Sequence, residues 1–373
     1  MWKIKKPIAF ILAISIISLF SGYNGRVKIK DRDIIQGMAV DAEQEGYSLT
    51  VQTYKPSSLQ EPKNEYELHT AQGRTLFEAL TSLNAITGQQ AFFSNLQVIV
   101  LSRETLEKGL SPILDFFSRY SEIRKNVTVV ASQCKAAELL TVDGETDILP
   151  AERIEKIMSF GTDSSNHDGS RLMDITERYL SNASDAFLPL LDVKEQDNSR
   201  TVKICGTLCF SGAHPSGVMS PEQSVGFDWI SGFSSRQSIV LDTEIAVFTM
   251  SVQNTSCKIS AKINDGVPLV NVDLSVVCNL SEVESKQPEI SQKDITEIIP
   301  LLSREVTSMV QSTVDKAFFE LDSDIFKFGK VVRRDCPEFF NSQQIDSIPK
   351  SRWKIHIAAS ADIYGIGRTN RTV

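Results

Sequence analysis

The sequence predicts an α+β fold in which mixed β-sheets pack with helices, and two observations carry that prediction. Residues 96–131 place two helical patterns between two apolar runs of β-forming residues, a connection long enough to join parallel strands. The second half of the chain is instead rich in strands with alternating polarity, and it contains one long helical pattern at residues 291–321.

Composition limits both the number of domains and the classes of function. At 373 residues the chain can hold two or three domains, and its 41% hydrophobic and 23% charged content is typical of a folded, soluble body. The net charge of −8 argues against a general nucleic-acid binder, because phosphate binding needs a basic surface. The six cysteines are spread along the chain and do not form a dense disulfide framework.

The N-terminal residues have the composition of an export signal. Lys3, Lys5 and Lys6 precede an almost wholly apolar segment at residues 8–20. A positive region followed by a short hydrophobic region is typical of such signals, and this segment is shorter than the roughly 20 residues of a usual spanning helix. We therefore predict a signal or anchor segment over residues 1–22.

The first predicted elements are a hairpin and a capped helix. Residues 36–41 and 47–53 have strand character, and alternation in the second run predicts one buried sheet face. Residues 59–66 are interpreted as a polar loop. Thr75 and Glu78 have the spacing of a capping box, which predicts a helix with an apolar stripe from Leu76 onward.

The central stretch then predicts a strand, two helices and a second strand. Residues 96–101 and 127–131 are the buried strands, and Ser102 caps a short helix between them. Ser111 followed by Pro112 is a start signal for the longer helix, because proline in the first turn loses no hydrogen bond.

Four charged residues lie at the end of this longer helix and just beyond it: Asp115, Arg119, Glu122 and Arg124. One interpretation is a solvated helix end that makes surface ion pairs. The other is an edge that docks a partner protein. The sequence leaves both interpretations open.

A domain boundary is predicted after the next group of elements. Residues 135–140, 151–159 and 171–180 are predicted helices, and residues 187–193 are a predicted strand. The charged run 194–200 is interpreted as a connection, so the predicted domains are residues 23–195 and 196–373, with a split of the first near residues 141–150 as an alternative.

Residues 161–169 raise the question of a metal loop because they contain Asp163, His167 and Asp168. The sixth position from Asp163 is Asp168, whereas an EF-hand loop needs glycine there. We therefore predict a loop without a metal ion.

The second half is predicted to contain a series of strands. In the strand at residues 202–210, Cys205 and Cys209 are expected to share one face and to be packing cysteines, since four strand residues span about 13 Å and neither one zinc ion nor one disulfide bridges that distance. Further strands are predicted at residues 244–252, 256–263 and 269–280. Whether Cys257 and Cys278 pair depends on a register that the sequence does not define.

The long helical pattern and a final strand complete the prediction. Pro300 must either kink the helix or start a second one. The apolar stripe of this helix is expected to pack on an antiparallel sheet, and Trp353 opens the last strand.

Local catalytic motifs are missing from the sequence. It has no nucleophile elbow, P-loop, zinc-protease or dinucleotide pattern, and its four histidines lack ligand spacing. We predict no catalytic, cofactor-binding or metal-binding residues. An exported, hydrolase-like enzyme whose site is not visible as a local motif is the alternative.

Several segments, in the right order, resemble the Ger(x)C family, the C subunits of spore-germination nutrient receptors. They are QGMAVDAEQEGYSLTVQ, FFSNLQVIVLS, EKGLSPILDFFSRYSEIR, NVTVVAS, GVMSPEQSVGFDWISG and LDSDIFKFGKVVRRDCPEFF. Gly217–Gly232 looks like a turn region of that family, and the last segment resembles its aspartate-phenylalanine-glycine segment. Two departures are Asn95, where the family has a histidine, and Tyr120, where it has an aspartate.

The resemblance implies a function, partners and a location. The chain would be a non-enzymatic, extracytoplasmic subunit of a membrane-bound nutrient germinant receptor, beside the family's A and B subunits at the inner spore membrane. It would be needed for spore germination and would bind no nucleic acid or cofactor.

The resemblance also places the family's lipidated cysteine at Tyr23. A phenol cannot accept the lipid that is transferred to sulfur, so we do not expect a lipoprotein. Phe20 is unsuited to ordinary signal peptidase cleavage after Gly22, and we therefore expect residues 8–20 to remain as an anchor. The lysines before this segment would stay cytoplasmic.

Overall fold

The computed structural model describes residues 32–55, 65–142, 148–160, 169–196, 199–233, 237–286, 292–341, 345 and 348–365. The predicted anchor segment, Tyr23 and residues 161–168 of the predicted loop lie outside the described residues. The described chain forms a nine-stranded and a four-stranded sheet, both packed with helices. The predicted α+β class is therefore confirmed.

The first sheet is mixed. Its strands are β1 (Arg32–Glu43), β2 (Gly46–Lys55), β3 (Glu65–Gly73), β4 (Gln90–Phe92), β5 (Val98–Ser102), β6 (Thr128–Ser132), β7 (Phe187–Gln196), β8 (Ser199–Ser211) and β9 (His214–Met219). The spatial order is β3-β2-β1-β5-β6-β7-β8-β9, with β4 on β1. Strands β1, β5, β6 and β7 pair in parallel, which confirms the predicted crossover, and antiparallel hairpins flank them.

Helices cover both faces of the first sheet. They are α1 (Leu76–Thr87), α2 (Arg103–Glu107), α3 (Leu110–Arg119), α4 (Ala136–Leu139), α5 (Pro150–Ser159) and α6 (Leu172–Tyr179). Helices α1, α2, α3 and α6 pack on one face, and α4 and α5 pack on the other. Because neither face meets solvent, every residue of β5 and β6 is buried.

Two polar side chains on the first sheet hold the starts of these last two helices. Asp41 is buried, and its carboxylate accepts hydrogen bonds from the N–H groups of Ala136 and Ala137 at 2.7 and 3.0 Å. Gln52 Oε1 accepts from Ala151 N–H at 3.1 Å. Side chains from the sheet therefore satisfy N–H groups that the helices leave without an internal partner.

The second sheet has the order β10 (Ser238–Asp242), β11 (Ala246–Asn264), β12 (Val267–Ser285) and β13 (Lys354–Gly365). Strands β11 and β12 form a hairpin whose turn residues Asp265 and Gly266 have φ values of 52° and 73°. Two residues of positive φ suit the right-handed twist of a tight hairpin.

Helices of the second half pack with this sheet in one core. They are α7 (Pro221–Ser231), α8 (Gln292–Val314), α9 (Phe328–Asp335) and α10 (Pro337–Asn341), with a π-helical turn at Asp315–Glu320 and a 3₁₀ turn at Lys350–Arg352. Helix α8 buries Leu302 and Val306, as its stripe predicts, and it also buries Val310. It continues through Pro300, so the proline does not start a second helix. Among the described residues, no helix is both long and apolar enough to cross a membrane.

Several local interpretations of the first half are wrong. Helix α3 begins directly after Gly109, which has a φ of 98°, so Ser111 is not its N-cap. Strand β3 has no counterpart among the predicted strands. Residues 194–200 are mostly strand, since Lys194 pairs with Thr201 in the β7–β8 hairpin. The predicted domain boundary at residue 195 therefore falls within a hairpin of the first sheet, and the division into domains stays a prediction.

Two β-bulges explain further errors in the second half. A register shift across Gln253 lets β11 continue through the predicted break between residues 252 and 256. A second shift between β7 and β8 puts Cys205 beside the first core and Cys209 in the second, so the two do not share a face. All six cysteines are free thiols, including Cys257 and Cys278.

A helix also replaces one turn. The piece interpreted as a family turn region, Gly217–Gly232, contains α7, which starts with a capping box between Ser220 and Gln223.

Candidate partner-binding groove and sheet junction

The charged residues at the end of α3 divide into two pairs. Asp115 and Arg119 lie one turn apart, and Arg119 Nε donates to both Asp115 carboxylate oxygens at 2.9 Å. Their side chains are 58% and 79% exposed, so this ion pair adds little to the free energy of folding. Both residues can therefore turn to a partner at small cost.

Asp115 and Arg119 line a groove between α1 and α3, which we call the α1–α3 groove. Its volume is about 430 Å³. Its apolar walls include Leu76 and Phe116, which are buried, and Phe77, which is 61% exposed although it is a large hydrophobic side chain. Phe77 therefore extends the apolar surface of the groove to solvent.

Tyr120 forms part of the same wall at a position where the family resemblance implies an aspartate. Its ring stacks on Phe116 at 5.7 Å and meets Phe93 edge-on at 5.5 Å. Burial, and then the charge of Glu122, raise the pKa of the Tyr120 hydroxyl. Tyr120 therefore adds an aromatic ring to the wall of this groove.

Glu122 and Arg124 are exposed in the turn after α3 and do not line the groove. Neither forms an ion pair within 4.0 Å with another residue that the structure describes. The structure thus brings Asp115 and Arg119 together at the groove and leaves the other two beside it. Asn95, the other departure, lies in an exposed turn.

A second cluster joins the two sheets, and we call it the sheet junction. Asp185 Oδ1 accepts from Gly212 N–H at 2.9 Å. Asp185 Oδ2 accepts from Asp324 N–H at 2.7 Å and from Lys350 Nζ at 2.9 Å. One carboxylate therefore ties the β8–β9 turn of the first sheet to two segments of the second half.

Asp324 organises the start of α9 within this junction. Its carboxylate accepts from Phe328 and Gly329 N–H groups at 2.9 and 2.7 Å. Burial raises the pKa of Asp324 to about 6, although these two hydrogen bonds oppose the shift. A Cβ at Gly329 would lie 2.8 Å from Ala183 O, so glycine allows the helix to approach the first sheet closely.

Arg178 of α6 completes the junction. It is only 3% exposed, its guanidinium lies 4.6 Å from the Phe187 ring centre, and its Nη1 donates to Ile325 O at 2.9 Å. Burial lowers the pKa of Arg178 to about 10, and Asp324 opposes this most strongly. The guanidinium group of Arg178 is thus almost entirely shielded from water.

Sequence reasoning did not identify the junction residues individually. Asp185 and Asp324 lie 139 residues apart, so no local motif contains both. The only signal was the segment around DIFKFG, which the resemblance marks without assigning a role. Among the residues that the structure describes, no three His, Cys, Asp or Glu side chains converge as metal ligands.

Two helix-covered sheets, a buried hydrogen-bonded junction and an exposed apolar groove define a two-sheet α+β protein with a surface suited to binding. Comparison with known proteins identifies its family. Residues 25–193 match the spore germination protein N-terminal domain, and residues 206–367 match the spore germination B3/GerAC-like C-terminal domain. The chain belongs to the Ger(x)C family of spore germination proteins.

Individual relatives extend over most of the chain. Spore germination protein KC of Bacillus subtilis (strain 168) is 21% identical over 89% of this chain and 88% of its own length. Spore germination protein GerQC of Bacillus cereus is 18% identical over 91% and 94%. The crystal structure of the GerBC protein superposes with a TM-score of 0.58 at 16% identity and covers 88% of this chain and 96% of that one.

Proposed function

We propose that this chain is the non-enzymatic, extracytoplasmic C subunit of a membrane-bound nutrient germinant receptor. The single observation that carries the proposal is the match to both family domains, which together extend from residue 25 to residue 367. The matched relatives are named as germination proteins, among them spore germination protein B3 of Bacillus subtilis. In this proposal the chain supplies contacts to the A and B subunits at the inner spore membrane.

Deletion of the chain tests this proposed role. Spores without it should lose the response to one set of nutrients, because the receptor is incomplete, and should still germinate with a non-nutrient trigger. Germination is measured as the fall in optical density of a spore suspension. Normal responses to every nutrient, in a strain without a redundant paralogue, would contradict the proposal.

We further propose that the α1–α3 groove docks an extracytoplasmic loop of a membrane subunit. The groove is lined by ten residues, whereas a whole interface typically involves about 20–30 residues on each side, so the groove can form only part of one. It suits instead an anchor for one apolar side chain of the loop, held next to Phe77. Asp115 and Arg119 lie at its rim, where they can exchange their mutual ion pair for partner contacts.

Two exposed residues of α1 provide a matched test. Phe77 lines the groove, whereas Ile86 is 66% exposed on the same helix and does not line it. Phe77→Gln should reduce co-purification of the membrane subunits from solubilised spore membranes by about tenfold, as loss of an interface anchor does. Ile86→Gln should leave co-purification unchanged. Equal effects of the two substitutions would show that the groove is not the docking site.

We propose, finally, that residues 8–20 anchor the chain in the membrane without lipid. Burial of about ten large apolar side chains, at roughly 1.5–3 kcal/mol each, favours membrane association even for this short segment. The intact mass of membrane-extracted protein should equal that of the full chain. A mass lacking the first 20-odd residues would refute the anchor. Tyr23→Cys should introduce lipid labelling, because Phe20, Ser21 and Gly22 supply most of a lipobox.

A further inference from the structure

A cavity beside the sheet junction concentrates positive charge. We call it the junction cavity; it lies between α6, α7, β11 and α9 and has a volume of about 440 Å³, within the usual range of small-molecule sites. Four of its lining side chains are cationic: Arg178, Lys327, Lys330 and Arg334.

Two of these cations already have carboxylate partners. Lys330 pairs with Glu177, and Arg334 pairs with Asp335 while donating to Ile259 O at 2.8 Å. In each of these ion pairs the carboxylate neutralises the cation. The net positive charge of the cavity wall therefore comes from Arg178 and Lys327.

Arg178 donates no hydrogen bond to the carboxylate of a described residue, although acidic residues surround it. Its Nη1 contacts only carbonyl oxygens, and its Nε is buried without a hydrogen-bond partner. The carboxylates of Asp185 and Asp324 are engaged by backbone N–H groups, and Asp185 also by Lys350. A buried N–H donor without a partner destabilises the fold, so a ligand atom that accepts from it would recover that cost.

The backbone of Lys327 is strained where it forms part of the cavity wall. Its φ of 65° is uncommon for a residue with a side chain, and strain of this kind is frequent at ligand sites. Burial, followed by the nearby charges of Arg178 and Lys330, lowers the pKa of its ammonium group. No described residue forms an ion pair with it, so this cation is available to an anion.

The rest of the cavity wall is mostly apolar. Ser231 and Cys257 lie there among apolar side chains: Ile230, Phe233, Ile259, Ile325, Phe326 and Val331. We propose that the junction cavity binds a small organic anion, whose carboxylate or phosphate oxygens contact Arg178 and Lys327 and whose apolar body packs on the Phe326 side. Charge-assisted hydrogen bonds fix the anionic end, and the apolar wall selects ligands with a hydrophobic body over inorganic ions.

Ligand binding at this place would also join the two sheets. Arg178 belongs to α6 on the first sheet, whereas Lys327 immediately precedes α9 in the second half. An anion that contacts both side chains adds a bridge across the junction and raises the free energy of unfolding with the logarithm of its free concentration once that exceeds the dissociation constant. This inference does not depend on the proposed receptor role.

Calorimetric titration of the purified full chain tests the proposal with three probes of similar size. Benzoate carries a carboxylate, phenyl phosphate carries a phosphate, and benzyl alcohol is neutral. At least one of the two anions should bind at millimolar concentration, and the neutral probe should bind at least tenfold more weakly. Binding of one anion only identifies its group as the preferred one. Failure of both anions, or equal binding of benzyl alcohol, would overturn the proposal.

Lys327→Asn removes the charge without endangering the fold, because asparagine tolerates positive φ better than lysine does. It should weaken the binding of the anion by about tenfold, as expected for one charge-assisted hydrogen bond. Lys258→Gln is the matched control, because Lys258 is exposed on the opposite face of β11 from Cys257 and Ile259, which line the cavity. Unchanged affinity in Lys327→Asn, or equal loss in Lys258→Gln, would refute the assigned contact.

Discussion

The two sheets of this protein bury their residues in different ways. In the first, the parallel strands β5 and β6 lie between two layers of helices, and all of their residues are buried. In the second, buried and less buried residues alternate along β12, since only one face packs on α8 and its neighbours. The number of sheet faces that helices cover therefore decides the sequence pattern of a strand. A strand covered on both faces is a continuous apolar run, whereas a strand covered on one face alternates between apolar and polar residues.

The sheets also differ at their edges. Strand β10 pairs only with the first part of β11, at residues 247–251. Farther along β11, side chains of α9 replace a neighbouring strand: Arg334 donates to Ile259 O, and Asp335 accepts from Ala261 N–H at 2.9 Å. A helix thereby satisfies backbone groups that could otherwise pair with another chain.

The largest expected effects come from lysine substitutions that test the number of covered faces. Ile99→Lys and Val100→Lys should both cost more than about 4 kcal/mol, because both side chains are fully buried. In β12, Val276→Lys should be equally damaging, whereas exposed Ser275→Lys should stay within about 0.5 kcal/mol. Urea unfolding gives these values. If lysine at position 99 or position 100 cost little stability, the conclusion that helices cover both faces of the first sheet would be wrong.

The next largest effect is expected at the contact between the sheets. Asp185→Ala removes three acceptor contacts and leaves Lys350, whose side chain is 23% exposed, with only Asp322 as a partner. We expect a loss of about 3–5 kcal/mol and separate unfolding of the two sheets. Differential scanning calorimetry measures both. A single transition at the wild-type temperature would mean that Asp185 does not couple them.

Asp324 should make the junction sensitive to pH. Its folded-state pKa of about 6 lies above the ordinary value of 3.8, so the folded chain binds the extra proton and stability falls as pH rises between these values. The shift corresponds to a loss of roughly 3 kcal/mol. The stability difference between wild type and Asp324→Asn should therefore change by this amount from pH 4 to pH 7. A difference independent of pH would show that Asp324 does not titrate as described.

The smallest expected effect concerns the covered edge of β11. Asp335→Ala removes the acceptor of Ala261 N–H but changes stability little, because the carboxylate is exposed to solvent. The exposed edge should instead increase self-association, which sedimentation velocity detects as a concentration-dependent shift. Glu338→Ala, on the neighbouring helix, is the control. A monomeric Asp335→Ala protein at all concentrations would argue against edge protection.

Local patterns predicted those elements whose determinants are close in sequence. Thr75 accepts from Glu78 N–H as the capping pattern requires, and the apolar runs of β5 and β6 are buried strands. The edge strand β3 was not predicted because most of its side chains are only partly buried and their burial does not alternate regularly. The bulge at Cys205 escaped because a register shift depends on the partner strand, which the sequence of one strand does not reveal.

The candidate sites were predictable only in part. Asp115 and Arg119 were found because both lie on one helix, but the wall of the groove also needs α1, which only packing brings near. The junction residues were missed for the same reason. Hydrogen bonds between residues more than a hundred positions apart leave no periodicity in the sequence.

The contact between Asp185 and Lys350 has a consequence for how the chain folds during its synthesis. The two residues are 165 positions apart, so the N-terminal part is complete well before Lys350 is added. Until then, Asp185 is a carboxylate without this lysine, and the contact surface of the first sheet is incomplete. Chaperones should therefore bind the growing chain until its last segment is made, and chains shortened before residue 350 should be the preferred targets of quality-control proteases.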